Sequence, residues 1–266
     1  MPTVPELIVE RARDAGLRHF FGLPSSGVLL HLLDAGRRMG VEFVSSAHES
    51  TGVIAAAYYG YFKGCPGLAI GVQGTGAGNM ASGALIARFE RKPVVCVCEC
   101  PAIDDFGEWG QQWDHPGLFN SVAKACLRTS EHNTAQSAYD AFRLAAMPRP
   151  GPVLLELPRN LEKTEGSSDL TTTADPVLDD PDPAELDALC EMVTAFRKPV
   201  IIAGDDVRQQ GCVPQLLTLA ESLQAAVLLT MDGRGVFPET HNRFGCVHIG
   251  TAPQHTLYRS FLEEAD

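Results

Sequence analysis

The chain has 266 residues, of which 45% are hydrophobic and 20% charged, so it can form one or two soluble globular domains with a substantial core. Its net charge of -12 and pI of about 5.1 exclude nucleic acid as the main partner, since no Lys/Arg cluster attracts phosphates locally. The start lacks a signal peptide's basic and apolar segments, and no apolar run reaches the roughly 18 residues of a membrane span, so we expect a cytoplasmic protein without membrane contact.

Short apolar runs bounded by turn residues alternate with stretches of helical periodicity through the first 160 positions. This alternation predicts strands at 17–21, 41–44, 68–72, 93–98, 123–127 and 153–157, and helices at 27–38, 51–62, 79–90 and 134–147. Short, continuously apolar strands between helices are typical of a parallel sheet covered on both faces. We therefore predict a three-layer α/β domain over residues 1–162.

The composition changes after this domain. Residues 163–182 are rich in Ser, Thr, Asp and Pro, which is typical of a linker. The pattern beyond it predicts helix 183–196, strand 199–204, helix 213–223, strand 226–229 and helix 253–264. A second α/β domain thus begins at 183, and its short length to 266 leads us to expect an incomplete, Rossmann-like domain.

Three of the eight cysteines alternate along one predicted strand, so Cys96, Cys98 and Cys100 share one of its faces. They could bind a metal or pack as small apolar side chains. No second pair of Cys or His stands at zinc spacing. We therefore favour packing, and we predict no metal ligands in this chain.

Four short segments carry the polar and glycine residues from which chemistry could arise. They are Phe21-Gly22-Leu23-Pro24-Ser25-Ser26, His48-Glu49, Gly74-Thr75-Gly76-Ala77-Gly78-Asn79 and Arg149-Pro150-Gly151-Pro152-Val153. The first lies at a strand-to-helix turn, of the kind found where ligands collect at the carboxyl edge of a parallel sheet. The third, the glycine segment, could cradle a phosphate. However, it lacks both the dinucleotide-binding spacing and the Lys-Ser/Thr of a P-loop, which disfavours a nucleotide-binding protein.

In this order, the segments resemble the pyrimidine-binding domain of thiamine-diphosphate enzymes, in the group of acetolactate synthase, benzoylformate decarboxylase and pyruvate oxidase. Residues 231–241 resemble the central-domain segment Gly-Lys-Gly-x-Phe-Pro-Glu-x-His of the same family. The resemblance covers nearly the whole chain, roughly the first half of the usual polypeptide. The family's Gly-Asp-Gly with its downstream Asn, which holds Mg²⁺ and the diphosphate, is not in the sequence. The resemblance implies thiamine diphosphate as cofactor, and we do not expect FAD.

The resemblance gives Glu49 the main catalytic role. Thiamine chemistry requires one carboxyl group in a dry pocket, where it shares a proton with N1′ of the aminopyrimidine ring. The local alternative is an acidic residue in the first turn of a helix, stabilised by the helix dipole. His48 is expected to support Glu49 structurally.

The resemblance also implies roles for the residues around Glu49. The cofactor-binding set is Pro24, Ser25, Glu49, Gly74, Thr75, Gly76 and Asn79, the catalytic set adds Gln111, and the substrate set is Ser26, Gln112 and His115. Gln111 is assigned by counting back from a family lysine matched by Lys124.

The sequence departs from the family pattern at several of these positions. Ser25 replaces the family's second glycine in Gly-x-Pro-Gly. In the glycine segment, Ala77 stands where proline is common, and Asn79 arrives two positions early. Local alternatives remain open: Ser25 or Ser26 could cap the next helix, and His115 could be an ordinary surface loop residue.

Family enzymes place the cofactor between the pyrimidine domain of one chain and the diphosphate domain of another. We therefore expect one subunit of a split 2-oxo acid decarboxylase or carboligase, similar to acetolactate synthase, with a partner chain that binds Mg²⁺. A heterodimer or heterotetramer would result. The alternative is a non-catalytic or regulatory truncated paralogue that dimerises through the pyrimidine-binding domain. The retained Glu49 argues against it, because a carboxyl buried without its ring costs stability.

Overall fold

The structure is a computed structural model that describes residues 1–23, 27–102, 111–173, 180–248, 259 and 262–266. The chain divides into two compact units, Met1–Asp175 and Pro176–Asp266. The predictions for Pro24, Ser25 and Ser26 lie outside the described residues, as does most of the last predicted helix.

The first unit is a six-stranded, fully parallel sheet with helices on both faces, which confirms the predicted α/β class. Its strands are β1 (His19–Gly22), β2 (Glu42–Ser45), β3 (Gly67–Gly71), β4 (Val94–Cys100), β5 (Ala125–Arg128) and β6 (Pro152–Pro158), in the spatial order β2-β1-β3-β4-β6-β5. Its helices are α1 (Val4–Asp14), α2 (Val28–Met39), α3 (Glu49–Lys63), α4 (Thr75–Phe89), α5 (His115–Phe119) and α6 (Thr134–Ala146), and one 3₁₀ turn covers Arg159–Leu161.

Helix boundaries differ from the prediction where the candidate site lies. α3 begins at Glu49 and α4 at Thr75, two and four positions before the predicted starts. Gly74 therefore caps α4, and Gly76 and Gly78 lie in its first turn rather than in a preceding loop, because packing against the sheet overrides their weak helix propensity. α1 was not predicted, and it starts with Glu6 accepting a hydrogen bond from the backbone N–H of Thr3 at 2.7 Å.

The two faces of the sheet are packed differently. α1, α2 and α6 cover one face, called here the large-residue face, with side chains such as Leu29, Leu32 and Phe142. α3, α4 and α5 cover the other, called here the small-residue face, where Ala, Cys and Gly predominate. The three cysteines of β4 are fully buried, as packing residues would be, and burial raises the pKa of Cys96 and Cys100 to about 12.

The first half of the predicted linker lies along the first unit. The backbone N–H of Gly166 donates to the carbonyl of Pro2 at 3.0 Å, and that of Ser167 to the carbonyl of Glu131 at 2.6 Å. The hydroxyl of Tyr139 donates to the carbonyl of Thr173 at 3.2 Å. Backbone hydrogen bonds, which composition does not reveal, therefore extend this unit beyond residue 162.

The second unit contains α7 (Pro183–Thr194), β7 (Val200–Ala203), α8 (Asp206–Gln209), α9 (Val213–Ser222), β8 (Ala226–Thr230) and β9 (Phe244–His248). Its three strands form a parallel sheet in the order β7-β8-β9. α7 buries none of its residues, and Leu186, Leu189 and Met192 are about half exposed. No helix in the described ranges of either unit is both long and apolar enough to cross a membrane.

Candidate functional site

Glu49 is a buried carboxylic acid at the start of α3, only 7% exposed. It follows β2 through the turn that contains His48, whose Nδ1 accepts a hydrogen bond from the backbone N–H of Ser50 at 3.3 Å. A Cβ atom added to Gly76 would lie 3.3 Å from Oε1 of Glu49, and one added to Gly71 would lie 3.7 Å from its Cγ. The carboxyl group thus lies at the carboxyl edge of the sheet, beside two glycines. Side chains at these two positions would occupy the space next to it.

The side chain of Asn79 contacts this carboxyl group. Its Nδ2 donates a hydrogen bond to Oε2 of Glu49 at 3.0 Å. The contact depends on close packing of α3 on α4, because a Cβ atom at Gly83 would lie 2.6 Å from the carbonyl oxygen of Ser50. Asn79 therefore fixes the orientation of the acid.

This contact also corrects the register assigned to the glycine segment from sequence. When the family segment Ser-Gly-Pro-Gly-x-x-Asn is aligned on Asn79, it matches Gln73 to Asn79 without a gap, with Thr75 in the proline position. Asn79 is therefore in place rather than two positions early, and Ala77 does not replace the proline.

Gln111 lies beside the first glycine of the same segment. A Cβ atom on Gly74 would collide with the backbone oxygen of Gln111 and lie 2.6 Å from its Cβ. Gly74 has a φ of 64°, which glycine adopts at little cost. Gln111, which lies against it, has a φ of 74°, a conformation that is strained for a residue with a side chain. The side chains of Gln111 and Gln112 are exposed, so both are accessible to a ligand at this edge.

His115 takes a different position from the one expected. Its ring is fully buried, and Nε2 accepts a hydrogen bond from the backbone N–H of Gly74 at 3.0 Å. Nδ1 lies 3.2 Å from Oε1 of Glu156 without forming a hydrogen bond to it. In this conformation the ring offers no surface to a bound molecule. Internal support therefore replaces both substrate contact and the surface-loop alternative as our interpretation of His115.

Two buried carboxyl groups at this edge were missed by sequence reasoning. Glu156 of β6 is 5% exposed and lies on the small-residue face, with Nη1 of Arg128 3.6 Å from its Oε2. Glu99 of β4 lies beside Gly27, and burial raises its pKa against the opposing effect of Arg159. Each interrupts a continuous apolar strand, and this was the available signal.

The described residues fit the aminopyrimidine ring of the expected cofactor but not its magnesium diphosphate. A buried carboxyl oriented by an amide, beside glycines that leave space, suits an aminopyrimidine ring that accepts a proton. Among the described residues, no group of three or more His, Cys, Asp or Glu side chains could hold a metal ion. A magnesium diphosphate therefore has no ligand set in this part of the chain.

Comparison with known families agrees with this arrangement. Residues 2–121 match the family model "Thiamine pyrophosphate enzyme, N-terminal TPP binding domain", and residues 186–266 match "Thiamine pyrophosphate enzyme, central domain". The two ranges together cover more than half of the chain. The chain belongs to the thiamine pyrophosphate enzyme family. The resemblance stated from the sequence is thereby confirmed.

Individual relatives of this member of the thiamine pyrophosphate enzyme family are named acetolactate synthase large subunits. The chain is 27% identical over 247 residues to the probable acetolactate synthase large subunit of Methanocaldococcus jannaschii, covering 89% of this chain and 41% of that protein. It is also 27% identical to the isozyme 3 large subunit of Escherichia coli, covering 96% and 45%, and to the large subunit of Lactococcus lactis, covering 98% and 46%. The chain thus spans less than half the length of these relatives.

Proposed function

We propose that this chain is one subunit of a split thiamine-diphosphate-dependent decarboxylase or carboligase that acts on a 2-oxo acid, similar to acetolactate synthase. The observation that carries the proposal is the buried carboxyl of Glu49, oriented by Asn79 within a domain of the thiamine pyrophosphate family. When bound, thiamine diphosphate supplies the carbon nucleophile that attacks the oxo group. The chain provides the acid that activates it.

Glu49 holds the proton that is shared with the pyrimidine nitrogen. The amide of Asn79 occupies Oε2, so Oε1, which faces Gly76, is the oxygen directed to the ring. Burial excludes water that would otherwise compete for this proton. Gly74, Thr75 and Gly76 line the ring with backbone rather than side chains.

Substrate recognition is assigned to the exposed residues at the edge of this pocket. Gln111 and Gln112 are exposed beside Gly74, and we propose that Gln111 contacts the reacting group and Gln112 the substrate. Pro24 and Ser25 would contact the cofactor and Ser26 the substrate, although these three lie outside the described residues.

The partner is proposed to be a second polypeptide that binds Mg²⁺ and the diphosphate, in a cytoplasmic heterodimer or heterotetramer. Two exposed apolar surfaces support contact with other protein. Phe62 and Phe89 on α3 and α4 are 76% and 77% exposed, and α7 leaves its leucines uncovered in the second unit. The relatives are named large subunits, which by name are parts of assemblies.

The test is to co-express the chain with the neighbouring gene product, provided that product carries Gly-Asp-Gly with a downstream Asn. Thiamine diphosphate and Mg²⁺ binding is measured by calorimetry, and carbon dioxide release is measured with a panel of 2-oxo acids. In the complex, Glu49→Gln should lower turnover by about 10²–10⁴-fold, because the proton donor is lost. Assembly should be unchanged, since glutamine keeps the size of the side chain and a carbonyl oxygen that accepts from Asn79.

Glu42→Gln is the matched control, because its carboxyl is 81% exposed on the preceding strand and its loss should leave turnover intact. Normal turnover in Glu49→Gln would refute the assignment of this residue. A complex that assembles but neither binds the cofactor nor releases carbon dioxide would favour the non-catalytic, regulatory alternative.

A further inference from the structure

One polar cluster on the small-residue face, buried except for its arginine, is not used by the proposed chemistry. It consists of His115, Glu156 and Arg128, and it connects three segments that are distant in sequence. We propose that His115 and Glu156 form a positioning pair that holds the start of the glycine segment, and that the pair works only while His115 is neutral. The role of this pair in catalysis rests on the function proposed above, whereas the pair itself does not.

The contacts of His115 define its hydrogen position. A backbone N–H of Gly74 points at Nε2, so Nε2 must carry a lone pair. The hydrogen of the neutral ring therefore resides on Nδ1, which faces Glu156. Glu156 favours this tautomer because its negative charge, 3.2 Å from Nδ1, attracts the hydrogen on that nitrogen.

Arg128 connects Glu156 to the residue that follows β4. Arg128, whose Nη1 lies 3.6 Å from Oε2 of Glu156, donates from Nη2 to the carbonyl oxygen of Pro101 at 2.6 Å. Pro101 directly follows β4, and His115 begins α5. Glu156 therefore lies between Arg128, which contacts the residue after β4, and His115, which contacts the start of the glycine segment.

The neighbours of the ring make opposing demands on its protonation. Glu156 attracts a positive charge on His115, whereas the N–H of Gly74 requires an uncharged Nε2. Arg128 partly neutralises Glu156 from β5. The remaining described titratable groups facing the pair are Cys98 and Cys100 on β4, Cys126 on β5, and Asp114, whose carboxylate accepts from the N–H of Gly117 at 2.9 Å.

Protonation of His115 would break the contact that places Gly74. Both ring nitrogens would then carry hydrogens, so the N–H of Gly74 would face a second donor instead of an acceptor. Gly74 directly precedes α4, and five positions later Asn79 holds Glu49. Loss of the Gly74 contact is therefore expected to reach the orientation of the catalytic acid.

The test is nuclear magnetic resonance on the full chain, labelled with ¹⁵N and free of cofactor and partner. At neutral pH the ring nitrogen shifts should show hydrogen on Nδ1 and none on Nε2. On acidification, the Gly74 amide and the side-chain amide of Asn79 should shift with the same midpoint as the His115 ring. Glu156→Gln should lower that midpoint, because the charge that favours protonation is removed.

His115→Gln separates positioning from simple packing. Its carbonyl oxygen can still accept from Gly74 but cannot titrate, so the shift of the Gly74 amide should lose its pH dependence while the chain stays folded. His132→Gln is the matched control, because His132 is 87% exposed beside Glu131 and the Gly74 titration should be unchanged.

Hydrogen on Nε2 at neutral pH would overturn the proposal. So would a Gly74 amide that ignores the His115 titration or titrates unchanged in His115→Gln, or a ring that stays neutral until acid unfolding. If His115→Gln does not fold, the Glu156→Gln midpoint decides. None of these readouts needs thiamine diphosphate, so failure of the proposed function and failure of this pair are distinguishable.

Discussion

The two faces of the six-stranded sheet are built for different purposes. On the large-residue face, Leu29, Leu32 and Phe142 are fully buried and supply apolar area to the core. On the small-residue face, alanines and glycines let backbones approach closely, as Gly83 of α4 does against Ser50 of α3. Large side chains at that crossing would separate the helices that carry Asn79 and Glu49. One face of the sheet therefore supplies most of the large apolar core, and the other brings the site residues together.

Truncation on the large-residue face should give the largest loss of stability. Phe142→Ala removes a fully buried ring from α6 and leaves a cavity, so the free energy of unfolding should fall by about 3–5 kcal/mol. Urea unfolding followed by circular dichroism measures it. Phe89→Ala is the control, because that ring is exposed and its loss should change the value by less than about 0.5 kcal/mol. If both changes lowered the free energy of unfolding equally, the large-residue face would not be the main source of stability.

The cysteines of β4 should be inert to thiol reagents while the fold is intact. Burial raises the pKa of Cys96 to about 12 from an ordinary 9.0, so its thiolate is ~10³-fold scarcer than that of a free cysteine. Native chain treated with an alkylating reagent should be labelled first at the exposed Cys190 and Cys212, as read by peptide mass spectrometry. Replacing both by Ser should remove this fast phase, and rapid native labelling of Cys96 would show that the small-residue face opens.

A methyl group added to the small-residue face should reverse the usual effect of a helical Gly→Ala change. Such a change normally stabilises a helix by about 1 kcal/mol. In Gly83→Ala the new Cβ would lie 2.6 Å from the Ser50 carbonyl oxygen and 2.9 Å from Cβ of Val53, so stability should fall by about 1–3 kcal/mol. In Gly78→Ala of the same helix, the new Cβ would have Trp113 at 3.7 Å as its one neighbour within 4 Å among the described residues, so this change should stabilise the chain. Urea unfolding of both variants tests the crossing directly.

Glu99 alternates in step with Val95 and Val97 along β4, so its side chain points to the large-residue face. We expect its replacement to have the smallest effect on stability, visible as a pH dependence. Burial raises its folded pKa, so the stability gained from its protonated form is complete below the ordinary value and lost as pH rises through the folded value. Glu99→Gln mimics the protonated form. It should be more stable than the natural chain at pH 7, and the difference should disappear below the ordinary value of 4.5.

Denaturant melts at both pH values measure this difference. The exposed Glu42→Gln variant should show none. A constant advantage of Glu99→Gln at all pH values would mean that packing, rather than the charge of Glu99, causes it.

The sequence was informative where a local pattern reports a local structure. Continuous apolar runs located the strands of the first unit, and the order of Glu49 and the glycine segment indicated the family. It was less informative at α4, where glycines read as a turn lie in a helix, and at β9, whose pairing with β8 is a non-local contact. Glu99 and Glu156 were overlooked because an acid within an apolar strand signals only an interruption and does not show which polar groups will surround that acid.

By itself, the sequence determined the parallel α/β fold and the position of one acid at a strand-to-helix junction, because periodicity and turn residues act over a few neighbours. Only the tertiary structure decided which polar groups meet. Asn79 reaches Glu49 across 30 positions, and His115 reaches Gly74 across 41. Such contacts depend on strand order and on how closely two helices approach, and both are set by packing of the whole domain.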